Sequence, residues 1–270
     1  MKFCYDHDLH IHSTLSVCGN DPEQTPERIL AYAKKNRLHT VCLTDHFWDE
    51  ALPISSDFYR VQNLAHIKSA LPLPTSRDVR FLFGCETEMD AHGVIGIAPE
   101  HYDLFDFIIV PTTHMHMGEL VIPAASYRTT DERARVWISR IDTLLSSDLP
   151  LSRVGLAHLT TPLLLRGDPD GWLAILRALD EGEMRRVFKR AAALGVGIEL
   201  NMDLCRLTDK TAPTVLRPYR IAHECGCKFY IGLDVHKAHE WPGAPQMAEN
   251  MLSRLELDEA DKHPLAKDWR

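Results

Sequence analysis

Histidine and carboxylate side chains recur in this chain at places where they can act together. The segment "DLHIH", residues 8–12, puts His10 and His12 two apart. In an extended strand, residues i and i+2 point to one face, so both imidazoles project together. Further along, short apolar runs end in Thr44-Asp45-His46, in Glu86, in His114, in His158, in Glu199-Leu200-Asn201 and in Asp234-Val235-His236. Imidazole nitrogens and carboxylate oxygens at such ends are the ligands of divalent metals. A lone strand-end histidine is usually a hydrogen-bonded or solvated residue. A structural role gives no reason for six apolar runs to finish alike. His10, His12, Glu86 and Asp234 are therefore read as metal ligands, joined by His46, His114, His158 and His236. His116 is a rival or supporting residue for His114, and Glu88 is read as supporting Glu86. His7, His39, His66, His92, His101, His223 and His263 fall at strand starts, on helices or in loops and are read as structural.

Elements of alternating kind must carry these residues. Strands are expected over 4–12, 39–46, 80–90, 105–114, 153–160, 197–202 and 228–236, with 93–99 adding a hairpin to the third. Helices are expected over 25–37, 55–71, 130–146, 170–179, 181–195, 212–226 and 245–257, with the polar stretch beyond them frayed. Thr25-Pro26-Glu27 is an N-cap signature for the first helix. The strands are nearly continuous apolar runs, as parallel strands covered on both faces are. About seven strand–helix units point to a distorted (β/α)7, TIM-like barrel in a single domain over 1–270, with an open doubly wound sheet as the alternative. In such barrels the C-terminal strand ends carry the active site.

Composition narrows the function. The 270 residues are 45% hydrophobic and 25% charged, with a formal net charge of −8. An acidic surface repels a phosphate backbone, so nucleic acid is a poor bulk partner, and no basic groove studded with aromatics appears. No apolar run is long enough to span a bilayer, and the first residues lack the apolar core of a signal peptide. Seven scattered cysteines fit a reducing, cytoplasmic setting, and Cys225-Gly226-Cys227 reads as a helix end running into a strand.

The ordered set "DLHIH", "LTDHF", "GCETE", "IIVPTTH", "GLAH", "GIELN" and "GLDVH" resembles the PHP (polymerase and histidinol phosphatase) family over nearly the whole chain. The resemblance implies a distorted (β/α)7 barrel with two or three divalent ions (zinc, manganese or iron) at the strand ends. It implies one metal on His10, His12, Glu86 and Asp234. Glu86 would bridge to a second metal, completed by His114 and His158. His46 and His236 match ligands of a third. The family's further ligand to that third metal, often histidine, falls six residues after His12, where this chain has Cys18. A thiolate also binds zinc or iron, so the departure alters the site without emptying it.

A pocket holding two or three divalent ions against two carboxylates is net positive and favours phosphate. A metal pair lowers the pKa of bridging water and steadies both the attacking and leaving oxygens of an in-line displacement. The expected reaction is hydrolysis of a small-molecule phosphate monoester by a bridging hydroxide, with histidinol phosphate as the first substrate to consider. Asp234, His236 and His239 are the candidate catalytic residues, with His239 or His116 as acid for the leaving group. Arg166, Arg206 and Lys237 follow strand ends and are candidate substrate-binding cations, and Asn201 is a candidate orienting group. Alternatives are an amidohydrolase cutting C–N bonds, a nucleotide or oligonucleotide phosphoesterase, and a non-catalytic metal-binding domain.

Overall fold

The computed structural model describes residues 1–54, 56–123, 129–202, 204 and 207–267. Nine strands lie among the described residues: β1 His7–Ile11, β2 Thr40–Leu43, β3 His46–Phe47, β4 Arg80–Phe83, β5 Cys85–Thr87, β6 Ile108–Pro111, β7 Val154–Ala157, β8 Gly197–Asn201 and β9 Lys228–Gly232. Every pairing between them is parallel, in the orders β1-β2-β4 and β3-β5-β6-β7-β8-β9. Residues of β1, β2, β6, β7 and β8 are all buried; β2, β6 and β7 read as apolar runs for that reason, while β1 (HDLHI) and β8 (GIELN) bury polar side chains as well.

The two sheets are joined by strands that change partners midway. The run 40–47 is β2 followed by β3, broken at Thr44-Asp45, and the run 80–87 is β4 followed by β5, broken at Gly84. Hydrogen bonds bridge the breaks: Gly84 N to Leu43 O at 2.8 Å, Glu86 N to Asp45 O at 3.1 Å and Cys85 N to Phe107 O at 3.1 Å. Gly84 leaves room for this change, because a Cβ there would lie 2.5 Å from Phe107 O and 2.7 Å from Cys42 Sγ. At the other margin, Ile11 makes a parallel bridge to Val235 just beyond β9. Asp234 N donates to His10 O at 2.8 Å, and His12 N donates to Val235 O at 3.0 Å.

Helices cover these sheets and begin where capping chemistry starts them. In α1 (Pro26–Lys35), Thr25 accepts from Arg28 N and proline opens the first turn. Thr129 and Glu132 form a capping box at the head of α4 (Thr130–Leu144). α5 (Pro169–Ala178) is capped by Asp168; α6 (Glu181–Leu194) is capped by Asp180 and stops at Gly195, in the left-handed region at φ 77°.

Four expectations are corrected. The helix expected over 55–71 is two short ones, α2 (Asp57–Arg60) and α3 (Leu64–Lys68), because Asn63 turns its side chain to cap the second. The helix over 212–226 is likewise divided, into α7 (Ala212–Val215) and α8 (Arg217–Glu224), where Pro218 withholds an N–H at the junction. The last helix, α9 (Ala244–Leu252), ends earlier than expected. The expected frayed tail instead packs down: His263 N donates to Phe229 O at 2.7 Å, and buried Lys262 reaches Asp6 and Glu259, each at 2.6 Å. Among the described residues, no helix is long and apolar enough to cross a membrane.

Candidate metal centre

At the C-terminal ends of the strands, side chains from seven separate stretches of chain converge. Parallel registry accounts for much of this. His46 of β3 lies directly beside Glu86 of β5, and Asn201 of β8 beside Gly232 of β9. Three overlapping sets have ligand atoms within 4.8 Å of one another: His10, His12, Glu86 and Asp234; Glu86, His114 and His158; and His12, His46 and His236. All are buried except Asp234 and His236, which are partly open to the cavity above.

The hydrogen bonds behind the rings fix how the imidazoles present themselves. His10 Nδ1 lies 2.6 Å from Glu199 Oε1, an atom that can only accept, so the proton sits on Nδ1 and Nε2 carries the lone pair. His12 Nδ1 lies 2.7 Å from Ser16 Oγ, whose own hydrogen goes to Asp45 Oδ1 at 2.6 Å; the hydroxyl therefore accepts from His12. His114 Nδ1 donates to Glu88 Oε2 at 2.8 Å. Thr113 Oγ1 passes its hydrogen to His158 O and accepts from His158 Nδ1 at 2.9 Å. His236 Nδ1 donates to Asp234 O at 2.8 Å. Five imidazoles are thus held through Nδ1, and Nε2 is the nitrogen each presents to the cluster. An acceptor behind each ring is the usual support of metal-bound histidine.

The front of the cluster asks for a cation. His10 Nε2 and His12 Nε2 face each other at 3.1 Å, with Asp234 Oδ1 3.1 Å from the latter. His46 Nδ1 lies 2.9 Å from Glu86 Oε2, and Asp234 Oδ1 also lies 3.4 Å from His10 Nε2 and from His236 Nδ1. A carboxylate oxygen facing imidazole lone pairs is favourable only with positive charge between them, supplied by protons or a metal ion. The titration behaviour agrees. Burial would hold His12 below the ordinary histidine value, but Asp234 and Glu86 push it up to about 9. Burial opposes ionisation of Glu86 too, yet His46 and His10 hold its carboxyl well below the usual range. The donor set, neutral imidazoles with two carboxylates, fits zinc, manganese or iron. Backbone strain lies at the same place: His158 and Asp234 are non-glycine residues at φ 29° and 56°.

Above the cluster opens a cavity of about 410 Å³, lined by Cys18, His46, Phe58, Tyr59, Glu86, His114, His116, Met117, Leu163, Asp234 and His236. Phe58 packs edge-on against His46 at 5.4 Å, so an apolar wall borders the polar floor. Cys18 lines this cavity but belongs to none of the ligand sets among the described residues. Burial, then Glu86 and Asp234, push its thiol up to about 12. His12, in place of Cys18, accompanies His46 and His236. His116 is kept neutral by burial, then His114 and Arg166, which hold it near 4. Arg166 is exposed and lines an adjoining depression shared with His116. Lys237 and His239 are exposed and do not line the cavity. Arg206 lies outside the described residues.

Of the residues that pin the rings, Glu88 was read from the sequence as a supporting residue, and the others were not assigned that role. Glu199 and Asp45 carried a signal, an acid inside or beside an apolar strand. Ser16 and Thr113 carried none. Arg140, buried on α4, donates to Glu88 Oε1 at 2.9 Å and to the carbonyls of Thr112, Val121, Met89 and Pro111, and its helix gave no hint of that role. A fourth cluster, Cys4, Asp6 and Glu259, already has its cation in the Lys262 ammonium.

Fold and site together define a parallel α/β protein with a histidine- and carboxylate-rich cavity at its strand ends. No family model and no curated protein sequence matches the chain. Among solved structures, it is similar in fold to a histidinol phosphate phosphatase from Lactococcus lactis, determined with zinc, L-histidinol and phosphate. The TM-score is 0.57 at 16% identity, over 92% of this chain and 94% of that one.

Proposed function

We propose that residues 1–270 form one PHP-type domain, a distorted seven-unit barrel, that hydrolyses small-molecule phosphate monoesters with two or three bound divalent ions. The observation that carries this reading is the row of five imidazoles pinned through Nδ1 and converging on Glu86 and Asp234. The Ile11–Val235 bridge supports closure of the barrel. His10, His12, Glu86 and Asp234 would hold one ion, and Glu86, His114 and His158 a second. His46 and His236 would hold a third; His12 lies within reach of it, but its single Nε2 lone pair serves one ion at a time. Bound ions would supply Lewis acidity toward phosphoryl oxygens and lower the pKa of water.

The chain's own residues do the rest. Phe58, Tyr59, Met117 and Leu163 exclude water and pack against the alcohol of the ester. His116, neutral at the rim, offers a hydrogen bond to the leaving oxygen or to a phosphoryl oxygen, and Arg166 adds positive charge beside it. Histidinol phosphate is the first substrate to test, because the structural neighbour was solved with L-histidinol and phosphate. Metal analysis with turnover of p-nitrophenyl phosphate and a metabolite panel, on wild type and His12→Ala, tests the proposal. A phosphoesterase loses metal and activity together. An amidohydrolase, the second reading, leaves phosphate esters intact and cleaves C–N bonds.

A further inference from the structure

Glu199 spends its two carboxylate oxygens on two different ligand sets. Oε1 accepts from His10 Nδ1 at 2.6 Å, and Oε2 accepts from the backbone N–H of His158 at 2.7 Å and from Asn201 Nδ2 at 3.2 Å. The residue is fully buried, deep on β8. His10 belongs to the set with His12, Glu86 and Asp234, and His158 to the set with Glu86 and His114. The backbone that Glu199 grips at His158 is the one held at φ 29°. Gly232 makes the His10 contact possible: a Cβ there would collide with Glu199 Oε1 and lie 2.7 Å from His10 Cβ.

We infer that Glu199 is a positioning residue that holds His10 in the metal-binding tautomer while fixing the backbone of His158, so that one carboxylate sets up two adjacent metal sites. The inference rests on reading the cluster as a metal centre. The donors around Glu199 make its two sides unequal. The backbone N–H of His158, a donor that cannot change, faces Oε2 together with the Asn201 amide, whereas the single donor facing Oε1 is an imidazole, which can move its proton from Nδ1 to Nε2. A glutamine at 199 has one accepting oxygen and one donating amide. Its oxygen settles on the side of His158 and Asn201, and its amide faces His10. His10 then accepts at Nδ1 and turns an N–H toward the metal.

Glu199→Gln is therefore expected to lower bound zinc by about one equivalent, emptying the His10 site and sparing the Glu86–His114–His158 site. Equilibrium dialysis with elemental analysis reads this, and nitrogen-15 spectra of histidine read the tautomer. In zinc-loaded wild type, His10 must show a protonated Nδ1 and a coordinated Nε2. The opposite tautomer overturns the inference without any variant. A Glu199→Gln protein that holds as much zinc as wild type, with equal affinity, also overturns it. So does equal loss from both sites, which a purely structural role would give. Wild type without any bound zinc sinks the metal-centre reading itself, and the inference with it.

Discussion

Arg140 and Glu88 form an ion pair, Nη2 to Oε1 at 2.9 Å, with both side chains all but removed from solvent. The second oxygen of Glu88 holds His114, so a cation on α4 stands behind a ring of the candidate centre. Breaking a buried pair from one side leaves an uncompensated charge, a loss of about 3–5 kcal/mol. Arg140→Met is expected to lower the melting temperature and weaken metal held through His114 by about 10–100-fold. Thermal melts and competition with a chromophoric chelator check this, and unchanged metal affinity would count against the relay.

His12 belongs to two of the ligand sets. His12→Ala should lose more metal than His46→Ala, because the set of His10, His12, Glu86 and Asp234 carries both carboxylates and His46 is not part of it. Elemental analysis of both purified variants decides the order, and the reverse order contradicts the assignment.

The pH dependence has a definite sign. In metal-free protein the His12 imidazolium is favoured by Asp234 and Glu86, with its pKa raised to about 9. A group raised on folding stabilises the fold fully below its unfolded value, about 6.5, and that stability is lost as pH climbs through the folded value. Metal-free protein should therefore lose stability between about pH 7 and pH 9. Metal-loaded protein should not, since the ion replaces the proton. Conversely, metal affinity should fall as pH drops and protons compete for the imidazoles. Melts with and without chelator across this range are the check; a metal-free melting temperature that rises toward pH 9 refutes it.

Cys18 has a raised thiol pKa and belongs to none of the ligand sets among the described residues. Cys18→Ser is expected to leave metal content unchanged, and cobalt-substituted wild type to show no sulfur-to-cobalt charge-transfer band. Such a band would restore the thiolate as a ligand.

The strand ends were legible because a two-residue period and a parallel sheet's apolar runs fix where each side chain emerges. His10, His12, His46, Glu86, His114, His158, Asp234 and His236 all lie in the cluster the pattern anticipated. The groups behind them were only partly legible: Glu88 was read as supporting, but Glu199 is 189 positions from His10, and Arg140, which donates to Glu88, is 52 from it. Nothing local in either segment encodes the pairing. Helix breaks escaped for the opposite reason. The apolar spacing of 55–71 continues through Asn63, and only the side chain's turn toward His66 N ends one helix and starts the next. The tail escaped because its polar composition hides a buried lysine whose partners are the distant Asp6 and its near neighbour Glu259.

The Ile11–Val235 bridge joins the first strand to the last of the converging residues. A ribosome must release the chain through Asp234 before His10 and Asp234 can meet. On the proposed reading of the site, an ion held through that pair would therefore bind after both segments have been made rather than guide their synthesis.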